Sequence, residues 1–125
     1  MSACRLLFIS TAGGYLRGEQ EPFDAANDLG DYSLRLFPTD TPFERIDYAH
    51  DHYDHTAVTA DPQVLLPLRH LQNMVDEGKI GALAPTVINF SGYMPNVERI
   101  IMETIPAIIA VAQAEQADGA LLVPA

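Results

Sequence analysis

Three short, unbroken apolar runs constrain this chain more than anything else in it. Leu6-Leu7-Phe8-Ile9 is the first, Ile80 to Phe90 contains the second, and Ala120-Leu121-Leu122-Val123 is the third. A strand that reads apolar at every position is buried on both faces, which is the habit of parallel sheets covered by helices. The first run stops at Thr11-Ala12-Gly13-Gly14, a tight-turn composition. The second has to place Pro85 near its start, because proline cannot donate to a ladder.

Helical spacing fills the gaps. Val64, Leu65, Leu68, Leu71, Met74 and Val75 recur on one face between Gln63 and Glu77, with Asp61-Pro62 as the start and Gly78 as the stop. Asn96 is an N-cap candidate for a second helix, 96–117. Its stripe of Val97, Ile100, Ile101, Thr104, Ile105, Ile108, Ile109 and Ala112 is too wide for a surface helix. Pro106 is expected to kink it, and Asp118-Gly119 to end it. Strand 80–90, helix 96–117 and strand 120–123 have the spacing of a right-handed βαβ unit. The expected fold is therefore α/β, a single domain over 1–125 built on a parallel sheet. Such sheets bind ligands at the carboxyl ends of their strands, here Ser10 to Gly14, Phe90 to Asn96, and Pro124-Ala125. The last strand has no helix after it. The sheet is thus expected to be incomplete at its C-terminus, the chain being the N-terminal part of a longer domain. The alternative is a small domain completed by a second copy.

Charge narrows the function classes. The 125 residues carry 17 acidic and seven basic side chains, a net charge of −10. That balance argues against nucleic acid and anionic membrane surfaces as partners. No apolar run approaches a membrane span and no signal peptide is evident, so a cytoplasmic location is expected. The lone Cys4 cannot form an internal disulfide and reads as a small buried hydrophobe. Eleven of the acids and only two basic residues, Arg35 and Arg45, fall in 19–61. With Pro22, Pro38, Pro42 and Pro62 in or beside it, this stretch (to residue 62) reads as extended, irregular or short-stranded. It is either a solvated acidic loop or a functional one.

The densest polar constellation is His50-Asp51-His52-Tyr53-Asp54-His55. It fits H-x-H-x-D-H, a pattern that binds zinc or iron in metallo-β-lactamase-like hydrolases. Here no strongly apolar strand precedes it, and the only later histidine is His70, inside an expected helix. No metal is therefore assigned, and a metal-dependent hydrolase stands as an alternative. Asp31 and Arg35, four apart, form a structural pair or a carboxylate-binding fork.

Taken in order, Gly13-Gly14, Pro22-Phe23-Asp24, Gly30-Asp31-Tyr32-Ser33-Leu34-Arg35, His50-Asp51-His52-Tyr53-Asp54, Asp61-Pro62, Pro67-Leu68-Arg69-His70-Leu71, Glu77-Gly78-Lys79-Ile80-Gly81 and Phe90-Ser91-Gly92-Tyr93 resemble the selenoprotein B family. These are the component-B subunits of glycine, sarcosine and betaine reductases and of D-proline reductase. The resemblance implies an oxidoreductase subunit that cleaves a C–N bond reductively, acting on an amino acid or amine. It implies a selenocysteine or cysteine directly after a strand ending Leu-Val-Pro-x. Here that strand is Leu121-Leu122-Val123-Pro124-Ala125, so selenocysteine is expected immediately after Ala125 and no other cofactor in the chain. It further implies other reductase subunits, a thioredoxin-type electron donor and a homo- or hetero-oligomer. His50, His52 and His55 are catalytic candidates as proton donors to the leaving amine, with Asp54 orienting a histidine. Asp31, Arg35, Gly92 and Tyr93 are the substrate-binding candidates. A non-catalytic binding or regulatory module on the same scaffold is the other alternative.

Overall fold

The computed structural model describes residues 1–49 and 56–125. Its centre is a four-stranded sheet. β1 (Arg5–Ser10) is followed by a short β2 (Gly14–Leu16), β3 (Arg35–Pro38) and β4 (Ile46–Tyr48). A one-turn α1 (Thr56–Ala60) and α2 (Leu68–Asp76) come next, then β5 (Ala82–Asn89). A helical stretch beginning at Val97 leads to β6 (Gly119–Val123). The sheet order is β3-β5-β1-β6, with β1 parallel to β5 and β6 and with β3 antiparallel at the edge. β2 and β4 form a separate antiparallel ribbon, Gly14 opposite Tyr48. The fold is α/β with a mostly parallel central sheet, as the three apolar runs require.

Both faces of β1 and β5 are covered, by different means, whereas edge strand β6, expected to be buried, has no buried residue and exposes Ala120 and Leu122. Leu6 and Phe8 of β1 and Val87 of β5 point into a core built with Phe37, Ile46, Leu68 and Leu71. Leu7, Ile9, Ala84 and Ile88 point the other way, against Ile108, Val111 and Ala112 of the long helix. The described part of the acidic segment up to residue 49 is not simply a solvated loop. Phe23, Tyr32, Phe37 and Ile46 within it are buried, so it supplies one wall of the domain.

Prolines reshape three elements. The α2 helix begins at Leu68, not at Pro62. Pro67 cannot continue an earlier turn, so Pro62–Val64 stays a separate 3₁₀ turn with the Asp61 carboxylate accepting from the Gln63 amide. Gly78, at φ 71°, closes α2 as expected. In β5, Pro85 falls where the pairing with β1 slips, Leu6 matching Leu83 but Phe8 matching Val87. A bulge absorbs the missing donor. The long helix starts at the Asn96 cap as α3 (Val97–Arg99), widens to a π turn over Ile100–Thr104, and resumes as α4 (Ile105–Ala114). Pro106 has no N–H to offer Met102 and its ring crowds that carbonyl, so the expected kink is expressed as the π turn. Gln116, at φ 55°, turns the chain out before Asp118.

One expectation is corrected by the packing. The wide stripe of this helix is not buried as a whole. Val97 is 65% exposed, Ile101 55% and Ile109 48%, Thr104 is the buried member, and no residue of α4 is fully buried. Cys4 is likewise half-buried rather than a core residue. No helix among the described residues is long and apolar enough to cross a membrane.

Candidate active site

Parallel β1, β5 and β6 end together, and backbone hydrogen bonds lock their exits. The Phe90 amide donates to Ser10 O at 3.1 Å and the Gly13 amide to Phe90 O at 3.2 Å. The Thr11 amide donates to Val123 O at 3.2 Å, and the Ala125 amide to Thr11 Oγ1 at 2.9 Å. Ala12 and Ser91 form an isolated bridge. The three segments expected to hold a ligand are therefore one surface. The sequence offered no reason to place a fourth segment there. The Ala49 amide donates to Gly13 O at 3.1 Å, so the residue just before His50 is tied to the same turn. His50, His52, Asp54 and His55 themselves lie outside the described residues. Among the described residues no group of His, Cys, Asp and Glu is placed to hold a metal ion. His70 is exposed on α2.

A second wall comes from the 24–33 loop. Gly30, at φ 80°, lets the loop press on 93–95: a Cβ there would stand 2.8 Å from Pro95 Cδ and 2.9 Å from Tyr93 O. Tyr32, next along, is the anchor. Its hydroxyl accepts from the Asn96 amide at 2.6 Å, its carbonyl accepts from Thr104 Oγ1 at 3.0 Å, and Arg99 lies 4.0 Å over its ring. Leu29, Pro95, Asn96 and Arg99 line an open cavity of about 460 Å³ between these segments. Arg99 is held by Glu103 at 2.7 Å; that contact raises the guanidinium and lowers the carboxyl from their ordinary values.

Asp31 and Arg35 do not meet directly. Ser33 stands between them, accepting from Arg35 at 2.7 Å and donating to the Asp31 carboxylate. Burial works to raise the Asp31 carboxyl. Bonds from the Ser33 hydroxyl and from the Ser33 and Asp24 amides outweigh it, with Arg35 nearby, so the net shift is below the ordinary carboxylate value. Arg35 also donates to Glu21 O at 2.6 Å and Pro22 O at 3.2 Å, and lies 4.5 Å over Phe23. In this structure the pair fastens the start of the acidic segment to β3. Tyr93 is half-exposed on the carboxyl edge, its hydroxyl donating to Asp28 O at 3.3 Å, next to Gly92.

Residues 20–116 match the glycine/sarcosine/betaine reductase selenoprotein B family. The chain belongs to that family. It is also similar to the D-proline reductase subunit gamma of Acetoanaerobium sticklandii, 30% identical over 114 residues. The alignment covers 91% of this chain and 46% of that relative, so the chain spans about half the relative's length. No solved structure gives a significant match. The matched span covers the 24–33 loop, β3 to β5 and the whole long helix; β1, the turn after it and β6 lie outside it.

Proposed function

We propose that this chain forms the substrate-holding part of a component-B subunit, in a cytoplasmic reductase that cleaves a C–N bond of a small amino acid or amine. The observation that carries the reading is the tie between β6 and the β1 turn: the Ala125 amide donates to Thr11 Oγ1, which delivers the chain after β6 to the same edge as Gly13 and Ser91. A selenol or thiol on the residue after Ala125 would supply an attacking anion at that edge. The chain's own residues then have defined tasks. The Thr11-to-Gly14 turn and Ser91 shape the floor. Tyr93 and Gly92, with Asp31 of the 24–33 loop and Arg35 just after it, bound the substrate space. His50, His52 or His55 gives a proton to the departing amine, with Asp54 orienting it. The reducing electrons come from a thiol-bearing donor protein, and other reductase subunits complete the assembly.

The test reads the gene past the Ala125 codon. An in-frame UGA or a Cys codon followed by an open frame is expected, and protein made with that residue should, in the presence of a dithiol, open the ring of D-proline to a linear amino acid or release ammonia or an amine from glycine, sarcosine or betaine. A UAA or UAG at that position removes the reading.

A further inference from the structure

Three hydroxyl side chains stand where β1 and β5 end: Ser10, Thr11 and Ser91. Two are sealed and engaged. Ser10 is 0% exposed and Ser91 4%. Ser10 Oγ accepts from the Ala12 amide at 3.2 Å, and Ser91 Oγ from the Tyr93 amide at 3.4 Å. Thr11 differs. It is half-buried, not sealed, and its Oγ1 accepts from the Ala125 amide at 2.9 Å. A hydroxyl that accepts still has its own proton to donate. Among the described residues that proton has no acceptor.

The bond to Ala125 falls where the backbone ladder stops. β1 and β6 pair in register from Leu6 and Gly119 to Ser10 and Val123, and the Thr11 amide donates to Val123 O at 3.2 Å. The next rung of a parallel ladder would run from the Ala125 amide to the Thr11 carbonyl. The Thr11 side chain takes that amide instead, and so guides the chain past the last strand pair. Its branched Cβ restricts χ1 and keeps the hydroxyl on the amide. Consecutive Cα atoms lie about 3.8 Å apart, so the side chain after Ala125 starts within reach of this hydroxyl. Segments 10–14, 90–92 and 123–125 carry no charged or titratable side chain. Tyr48 and Tyr93 come on the flanking segments, and His50, His52, Asp54 and His55 lie outside the described residues. An anion at this edge therefore meets neutral donors, and the Thr11 hydroxyl is the one side-chain donor of these three segments that is neither sealed nor engaged.

We propose that Thr11 positions and stabilises the nucleophile of this edge: its Oγ1 seats the residue after Ala125 by holding the Ala125 amide, and its O–H donates to the thiolate or selenolate of that residue. The proposal rests on the reductase reading above, which puts a selenol or thiol there. A hydrogen bond made to the anion and not to the neutral form lowers the pKa of the group, so more of the reactive form is present at neutral pH.

The experiment uses the full gene product, with Cys as the residue after Ala125, alongside its Thr11→Val and Thr11→Ser variants. Alkylation of that Cys by iodoacetamide is timed across pH, each adduct being located by peptide mass so that Cys4 is counted apart. Thr11→Val keeps the shape and removes the hydroxyl. Its alkylation pKa is expected to rise by about one unit, as for one lost hydrogen bond to a charged group, with the rate at pH 7 falling by up to about tenfold. Thr11→Ser keeps the hydroxyl and should restore the wild-type profile. A Thr11→Val profile equal to wild type overturns the inference, as does a lower Tm with the profile unmoved. So does a Thr11→Ser profile displaced as far as that of Thr11→Val. These outcomes leave the reductase reading standing. A UAA or UAG after the Ala125 codon overturns that reading, and the inference with it.

Discussion

Replacing Gly30 with alanine tests whether the 24–33 loop is docked on the carboxyl edge. Two costs add. The φ of 80° is left-handed, where an L-residue loses about 1–2 kcal/mol. The new Cβ would also stand 2.8 Å from Pro95 Cδ, 2.9 Å from Tyr93 O and 3.3 Å from Met94 Cα. Two of those three neighbours are backbone atoms, so the loop or the 93–95 segment must move, an overpacking cost of about 1–3 kcal/mol. The sum is about 2–5 kcal/mol, or a fall in Tm of about 8–20 °C for a domain of this size. Gly18→Ala is the internal control. Its φ of 74° carries the same conformational cost, but nothing lies within 4 Å of its Cβ, so the loss should stop at about 1–2 kcal/mol. Urea unfolding of both variants, followed by circular dichroism, measures the difference. Equal losses would refute the packing of this loop against 93–96 and, with it, the second wall of the site.

The Asp31 carboxyl has its folded-state pKa lowered, chiefly because the Ser33 and Asp24 bonds overcome burial. Its contribution to stability is therefore present above the ordinary carboxylate range near pH 4 and is lost as pH falls through the lowered value. Asp31→Asn should have a lower Tm than wild type at pH 7, with the gap closing below about pH 4; a gap independent of pH would sink the assignment. The apolar stripe on the long helix makes a separate prediction. Ile101 and Ile109 are both exposed, so Ile101→Glu with Ile109→Glu should change stability by no more than about 1 kcal/mol, roughly 0.5 for each surface site. The same pair should cut self-association or subunit binding in light scattering at micromolar concentrations, because large contiguous apolar patches mark contact surfaces. A several-degree loss of Tm without change in association would mean these side chains belong to the core.

How much of this could be read from the sequence depended on whether the information was periodic. β1 and β5 were legible because a strand covered on both faces has to be apolar at nearly each position; β6 reads the same way in sequence, yet it lies at the sheet edge with Ala120 and Leu122 exposed. The carboxyl edge followed from topology alone, since parallel strands that pair must end together. The segment from 19 to 49 was not legible as part of the core. Its buried residues, Phe23, Tyr32, Phe37 and Ile46, are separated by acids and prolines with neither a period of 2 nor one of 3.6. Only the tertiary contacts of Tyr32 and Gly30 reveal that the segment closes over the sheet. Pro67 and Pro106 were visible, but their consequences depended on context. One separated a 3₁₀ turn from α2, whereas the other was absorbed by a π turn because the sheet beneath holds the helix on course through Ile108, Val111 and Ala112.

Asn89 shows why the site itself was the least legible part. In sequence Asn89 is simply a polar position inside the expected strand 80–90, and Ser10 the polar residue after the first apolar run. In the structure the two are register partners, both fully buried, yet among the described residues Ser10 has an accounted-for hydroxyl and Asn89 an unaccounted-for amide. Satisfaction of a polar group depends on what surrounds it in space, so no pattern along the chain could have separated them. The same dependence gives Gly14 its meaning. As one of a Gly-Gly pair it signals a turn, but it is the Asn89 amide that excludes a Cβ there. The glycine and the asparagine are thus one packed pair, and Gly14→Ala should lower Tm because the sealed amide has no open space to move into.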